Sequence, residues 1–372
     1  NVPGTLRIVN GACNPDGSMH TIFSSSSPAL DNSGGLAVGD LDGDGVPELV
    51  AMLDRGGTVA FRRTSADGTN WEVMWSNDTY PVWNEHTRGG TQPSLADLDG
   101  QAPPEVIVGN VALNGNDGSL RWDGLDSVGP SAGIGNNAFL GPVSTVADID
   151  LDTHPEVLAG NTCYSHDGQE EWTFQYSSNN SDCGGDLPCD GYNAVGNFDS
   201  DDQGEVVIIR LGEVFVINHD GSLLAKVSIP TDDCNFNESG PPTVADFDGD
   251  GRPEIGTAAA DYYVIVDLDC MANPLPAECM AEGVLWYVPN EDCSSRVTAS
   301  SVFDFDGDGR AEAGVRQRVA PGQEVFHRAE HGAAAASPPE HHRRLPAVPL
   351  LLVGAGPVAR RGHGRRTPGQ PA

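Results

Sequence analysis

The stretch Ala37-Val38-Gly39-Asp40-Leu41-Asp42-Gly43-Asp44-Gly45-Val46-Pro47-Glu48-Leu49-Val50-Ala51 sets a loop between two short apolar runs. Carboxylates stand at loop positions 1, 3, 5 and 9, and glycine stands at position 6. The pattern returns with its first position at Asp97, Asp148, Asn197, Asp246 and Asp304, at gaps of 57, 51, 49, 49 and 58 residues. A near-constant period of this length marks a stacked or circular array of one supersecondary unit.

The loops predict a metal. Calcium takes six to eight oxygens at roughly 2.3–2.6 Å, and alternate acidic residues on a tight turn can aim that many inward. Asp40, Asp42, Asp44 and Glu48 supply side chains, Val46 a backbone carbonyl at position 7, and Gly45 the turn. Asp246, Asp248, Asp250 and Glu254 with the carbonyl of Arg252 repeat the set, as do Asp304, Asp306, Asp308 and Glu312 with the carbonyl of Arg310. The third loop keeps Asp148, Asp150, Asp152 and Glu156 but has Thr153 in place of glycine. The fourth offers Asn197, Asp199, Asp201 and Glu205 with Asp202 there. The second keeps Asp97, Asp99 and Glu105 but has Gln101 and Ala102 at positions 5 and 6, so it is the loop expected to lose its ion. An EF-hand needs glutamate at position 12, where this chain has Ala51, Val108, Ala159, Ile208, Thr257 and Val315.

Each loop reads as a β-hairpin tip, because an apolar run enters it and another leaves directly after the glutamate. An Asp-Gly pair follows at 67–68, 117–118, 167–168 and 220–221, a hairpin signal because both central residues must tolerate positive φ. Trp75, Trp122, Trp172 and Trp286 then fall at comparable places and read as packing between neighbouring sheets. Four antiparallel strands per unit without helical periodicity describe an all-β fold, a β-propeller of four-stranded blades. Repeats start near 35, 91, 142, 191, 241 and 298. Residues 1–30 read as the second half of a blade, with Asp16-Gly17 as its turn.

The propeller reading covers 1–312. Beyond Glu312 the apolar strand is replaced by Ala313-Gly314-Val315-Arg316-Gln317-Arg318, and residues 313–372 are rich in Ala, Pro and Arg. Residues 1–310 carry 50 acidic and 11 basic side chains, residues 311–372 four and nine. Two explanations stand: a frameshift near 313, or a disordered basic tail. The period expects a further loop near 355, where Gly354-Ala355-Gly356-Pro357 stands. The half-blades at the two ends either join in a six-bladed ring or mark a fragment of a seven- or eight-bladed one; the tail-like end favours the fragment.

A net charge of −34 argues against nucleic acid and anionic membranes as partners and points to cations. Six divalent ions would bring it to about −22, coupling metal to folding. No run of 18 apolar residues is present to span a membrane. Eight cysteines without a Cys-x-x-Cys pair favour an oxidising compartment, hence a secreted or cell-surface protein. Cys183 with Cys189, Cys270 with Cys279 and Cys234 with Cys293 are candidate disulfides, while Cys13 and Cys163 have no evident mate. Asn77, Asn179 and Asn237 begin glycosylation sequons.

The runs Ala37–Gly45, Val244–Gly251 and Phe303–Gly309 resemble FG-GAP (VCBS-type) repeats, which build the integrin alpha N-terminal propeller and many bacterial surface proteins. The resemblance covers residues 1 to about 312. It implies calcium in the blade hairpins and adhesion or ligand binding as the role, with a glycan or protein as ligand.

Catalytic signals are few. There is no Gly-x-Ser-x-Gly, His-Glu-x-x-His or phosphate loop. His86 beside Glu85, His166 beside Asp167 and His219 beside Asp220 are the nearest acid/base pairs, and the latter two fall in hairpins. The expectation is a non-enzymatic binding module. The alternatives are a calcium-dependent carbohydrate-active enzyme resembling the rhamnogalacturonan lyases, or a structural spacer. Loops 123–140, 176–192 and 229–241 are long, Gly/Asn/Asp-rich and the expected ligand surface.

Overall fold

The computed structural model describes residues 4–13, 18–54, 56–80, 90–137, 140–176, 190–231, 239–290, 292, 298–304, 307, 309–320 and 323–329. The fold is all-β. A two-stranded sheet, β1 (Gly4–Cys13) and β2 (Met19–Leu30), comes first. Five four-stranded antiparallel sheets follow. Blade one holds β3 (Leu36–Gly39), β4 (Glu48–Met52), β5 (Thr58–Arg63) and β6 (Trp71–Asn77). Blade two holds β7 (Ser94–Ala96), β8 (Glu105–Val108), β9 (Val111–Leu113) and β10 (Leu120–Asp123). Blade three holds β11 (Thr145–Ala147), β12 (Glu156–Ala159), β13 (Thr162–Tyr164) and β14 (Glu170–Thr173). Blade four holds β15 (Tyr192–Gly196), β16 (Glu205–Arg210), β17 (Glu213–Ile217) and β18 (Leu223–Ser228). Blade five holds β19 (Thr243–Ala245), β20 (Glu254–Ala258), β21 (Tyr262–Val266) and β22 (Val284–Pro289). Blade six has three strands, β23 (Ser300–Phe303), β24 (Glu312–Ala320) and β25 (Gln323–Ala329), so strand pairing runs on past position 312. Helix is confined to single turns such as Leu125–Val128 and Leu268–Met271.

The first strands neighbour one another in the succession β3, β7, β11, β15, β19, β23. Blades therefore follow one another face to face, and apolar side chains fill the space between them. In β8, Val106 and Val108 join Leu41, Val50 and Trp75 of blade one, while Ile107 joins Val157, Ala159 and Tyr164 of blade three. In β16, Val206 and Ile208 face blade three, and Val207 and Ile209 face blade five. Alternate residues of a strand point to opposite faces, so a strand buried on both reads as one continuous apolar run. The N-terminal pair packs in the same way, with Leu6 and Leu30 against Ala51, Val59 and Phe61.

The outer hairpin carries one irregularity, repeated in register. Pairing between third and fourth strands skips Met74 in blade one, Arg121 in blade two, Glu171 in blade three, Leu224 in blade four and Leu285 in blade five. In the N-terminal pair it skips Ile22, with Ile8 opposite Phe23 and Val9 opposite Thr21. A β-bulge of this kind bends the strand and re-aims one side chain. The N-terminal pair thus shares the irregularity of the outer hairpins.

Fourth-strand tryptophans link blades one, two and three each to the blade that follows. Trp75 Nε1 donates to Gly115 O at 2.7 Å, and Trp172 Nε1 to His219 O at 2.8 Å. Trp286 Nε1 is buried and has no acceptor among the described residues. Asn77 Nδ2 donates to Gly118 O of the following blade at 2.7 Å, so its sequon nitrogen is engaged in the interblade seam. Asn179 and Asn237 lie outside the described residues, as do Cys183, Cys189, Cys234 and Cys293. Cys270 and Cys279 are disulfide-bonded, and Cys163 is a buried free thiol.

Candidate metal centres

Every loop joins the first strand of a blade to the second, and one glutamate organises it. Glu48, Glu105, Glu156, Glu205, Glu254 and Glu312 open the second strands and are all buried. In the first five loops Oε2 accepts the backbone N–H of position 2: Leu41 at 2.8 Å, Leu98 at 2.9 Å, Ile149 at 2.9 Å, Phe198 at 2.5 Å and Phe247 at 2.5 Å. These position-2 side chains are themselves buried in the apolar layer between blades. The loop is thereby nailed to the core, and the second glutamate oxygen, Oε1, is left for the loop interior. The sequence reading missed this anchor, although the apolar residue at position 2 of every loop is its signal.

Position 1 holds the turn. Asp40 accepts N–H groups from Gly43 at 2.8 Å and Gly45 at 2.8 Å; Asp246 does the same for Gly249 and Gly251, and Asp304 for Gly307 and Gly309. Positions 3 and 5 each use one oxygen on the N–H two residues on, as Asp248 does for Asp250 at 3.0 Å and Asp250 for Arg252 at 2.8 Å. The other oxygen of Asp250 lies 3.4 Å from the Arg252 guanidinium, an exposed contact at the rim of loop five. In loop five, ligand atoms of Asp246, Asp248, Asp250 and Glu254 lie within 4.8 Å of one another. Loops one, two and three gather positions 1, 3 and 9 in the same manner, and Asp44 and Asp152 are outside those sets. Asp306 and Asp308 lie outside the described residues.

Loops three and four differ more than their sequences suggest. In loop three, Leu151 and Thr153 adopt φ of +66° and +82°, the left-handed turn that Gly43 and Gly45 adopt at +77° and +84°. The shape is kept at a steric cost, of order 1 kcal/mol or more for each side chain with a Cβ. Loop four has no left-handed residue. Asn197 Nδ2 instead donates to Asp201 O at 2.8 Å.

Burial pushes the glutamates up, with like-charged neighbours adding to it. Glu254 is raised to about 8 and Glu156 to about 7, and Glu48, Glu105 and Glu205 move in the same direction. A fully buried Glu205 keeps Oε1 without a hydrogen bond among the described residues, and Asp148 Oδ1 is in the same situation. Buried carboxylate oxygens without donors fit a hard cation.

Loop two holds a cation of its own. Arg121 Nη1 lies 3.0 Å from Glu105 Oε1 and Nη2 2.8 Å from Asp99 Oδ2, and the ion pair holds the Asp99 carboxyl below its usual range. In blade three the bulged position is Glu171 instead. Its carboxyl is pushed up by burial first and then by Asp150 and Asp152, and it accepts from the Cys163 thiol at 3.6 Å.

The expected acid/base pairs are turn residues. Asp167 accepts from Ser165 Oγ at 2.6 Å, and Asp220 from Ser222 N and Oγ at 3.0 and 2.6 Å. His86 lies outside the described residues. Within the ligand surface expected over 123–140, Leu125, Asp126 and Ser131 are exposed, but the expectation needs correction at Ala132, Asn136 and Asn137, which are buried. The fully buried Asp190 carboxylate takes the N–H groups of Ile134 and Asn136, and Tyr164 Oη donates to Gly133 O at 2.9 Å, tying the segment down. Most of 176–192 and 229–241 falls outside the described residues.

No protein-family model matches the chain, and no curated protein matches it in sequence. Among solved structures, the V. cholerae biofilm matrix protein Bap1 aligns with a TM-score of 0.55 at 14% identity, over 88% of this chain and 77% of that one. Saccharomyces cerevisiae Sqt1 aligns with a TM-score of 0.54 at 8% identity, over 85% and 76%. Rhamnogalacturonan lyase YesW is similar at a TM-score of 0.47 and 16% identity, over 85% of this chain and 64% of that one. At these identities the likeness concerns the all-β, multi-sheet fold alone.

Proposed function

We propose that the chain is a calcium-binding propeller of the FG-GAP type, secreted or held at a cell surface, that binds a glycan or protein and catalyses no reaction. The carrying observation is the repeated loop interior, where carboxylate oxygens of positions 1, 3 and 9 lie within 4.8 Å of one another in loops one, two, three and five, and the buried Glu205 Oε1 has no donor among the described residues. Calcium would be held by Asp40, Asp42 and Glu48; by Asp148, Asp150 and Glu156; by Asn197, Asp199, Asp201 and Glu205; by Asp246, Asp248, Asp250 and Glu254; and in loop six by Asp304 and Glu312 with Asp306 and Asp308. The backbone carbonyls of Val46, Arg252 and Arg310 complete the respective sets.

Bound metal supplies positive charge to clustered carboxylates. The chain's residues transmit that to the scaffold, because the glutamate that faces the loop interior also fixes the position-2 residue between blades. Loops of neighbouring blades also touch: Gly204 N donates to Ile149 O at 2.8 Å, and Ala311 N to Asp246 O at 2.9 Å. Rigid blades set side by side present their connecting loops as a binding face. The Cys270–Cys279 disulfide fits an oxidising, extracellular setting, and a matrix protein with the same kind of fold fits a binding role.

The test pairs metal analysis with binding. Calorimetry on chelator-stripped protein should show calcium binding and a large rise in melting temperature, and a melt indifferent to EGTA would overturn the metal reading. Glycan and matrix-protein arrays should then show calcium-dependent retention. EDTA-sensitive release of unsaturated product from pectic polysaccharide would instead make the protein a lyase.

A further inference from the structure

We propose that Arg121 is the resident cation of the second loop, so that this loop stays closed without metal while the others depend on it; the second clause rests on the calcium reading above. The guanidinium bridges Asp99 Oδ2 at 2.8 Å and Glu105 Oε1 at 3.0 Å. Those are the oxygens that Asp99 and Glu105 do not spend on the backbone: Asp99 Oδ1 is used by Gln101 N at 2.8 Å, and Glu105 Oε2 by Leu98 N at 2.9 Å. In loops one, three and five the corresponding carboxylates bring oxygens within 4.8 Å of one another, where the proposed ion would sit. A planar fork with five N–H donors and a permanent charge can satisfy two carboxylates at once.

The placement is built, not incidental. Arg121 is the residue skipped by the bulge between β9 and β10, and its counterparts Met74, Leu224 and Leu285 are apolar. Among the five blades whose bulge is described, blade two alone has a basic residue there. It is also the blade whose loop departs most from the metal pattern. Gln101 replaces the position-5 carboxylate and turns its amide to Gly100 O at 3.0 Å, and Ala102 replaces the glycine. One fewer negative charge suits one monovalent cation in place of a divalent ion. Arg121 is 23% exposed, so the pair is largely shielded from solvent and salt.

Hydrogen exchange on the intact chain tests this without a variant. In EGTA, amides of 97–105 should keep the protection they have in calcium, while those of 246–254 lose theirs. Equal loss in both segments overturns the proposal. Arg121→Gln should make 97–105 calcium-sensitive and add one ion to the count by mass spectrometry, whereas Asp99→Asn in the otherwise unchanged protein should leave the count as it is. A count lowered by one in Asp99→Asn would show an ion in loop two and overturn the proposal. If no segment responds to EGTA, the calcium reading fails on its own. The guanidinium is then tested in EGTA alone: non-additive losses of roughly 2–4 °C in melting temperature for Arg121→Gln and Asp99→Asn support it, and additive ones overturn it.

Discussion

Trp122 of blade two donates its indole N–H to the carbonyl of His166 in blade three at 3.1 Å, and Gly168 of the same hairpin lies flat against the indole. A Cβ on Gly168 would stand 2.5 Å from the ring, at a residue whose φ is +83°. Gly118 and Gly221 meet Trp75 and Trp172 in the same way. The Asp-Gly turn therefore needs glycine for two reasons, backbone conformation and the neighbouring blade. Gly168→Ala is expected to destabilise by about 2–4 kcal/mol, combining overpacking with left-handed strain. Gly43→Ala, where φ is +77° and the space is open, carries only the strain and should cost about 1–2 kcal/mol. Urea unfolding of both variants in saturating calcium measures the difference, and equal losses would remove the packing term.

Glu205 separates a metal ligand from a structural carboxylate. It is fully buried, with Oε2 on Phe198 N at 2.5 Å and Oε1 without a donor among the described residues. Glutamine retains an acceptor for Phe198 and removes the charge. Glu205→Gln should raise the melting temperature in EGTA, where the buried charge is a burden, and lower it in calcium, where a ligand is lost. A shift of the same sign in both conditions would mean that Glu205 acts only on the backbone.

The sheets and the loops were legible because both rest on local rules. Short continuous apolar runs placed the strands around Asp40 or Asp246, and carboxylate spacing placed the loops between them. What escaped is what depends on the third dimension. Arg121 stands 22 residues beyond Asp99, in the fourth strand of the blade, at the position the bulge skips. Trp122 and Gly168 likewise meet because blades stack in one register. Residues 132–137 looked like open loop from their composition, yet Asp190, more than 50 residues away, draws them inward.

The disulfide state gives a chemical prediction. Cys270 and Cys279 close a short loop that starts in the turn Leu268–Met271, and chain entropy assigns such a closure about 2–3 kcal/mol. Reduction should lower stability by that amount and loosen the segment next to loop five. Cys163 should behave oppositely. Burial pushes its thiol strongly up, with Glu171 and Glu156 adding like charge, so it should resist iodoacetamide in the native protein and react once unfolded. Peptide mapping with and without denaturant reads both, and native labelling of Cys163 would contradict its burial.

Calcium binding should release protons near neutral pH. Glu254 is raised to about 8 and Glu156 to about 7, from an ordinary value of 4.5, chiefly by burial. A carboxyl raised in the folded state lends stability that is complete below its unfolded pKa and is lost as pH climbs through the folded one. The chelated protein should therefore lose melting temperature between about pH 5 and 8. In calcium these carboxylates must be ionised to act as ligands, so the same interval should leave stability level or raise it, and apparent affinity should grow with pH. Calorimetry at pH 7 in two buffers of different ionisation enthalpy counts the protons displaced. A heat independent of buffer would mean that the glutamates are already ionised before metal arrives, and that the burial of the loop floor is less complete than the packing of Leu41, Ile149 and Phe247 implies.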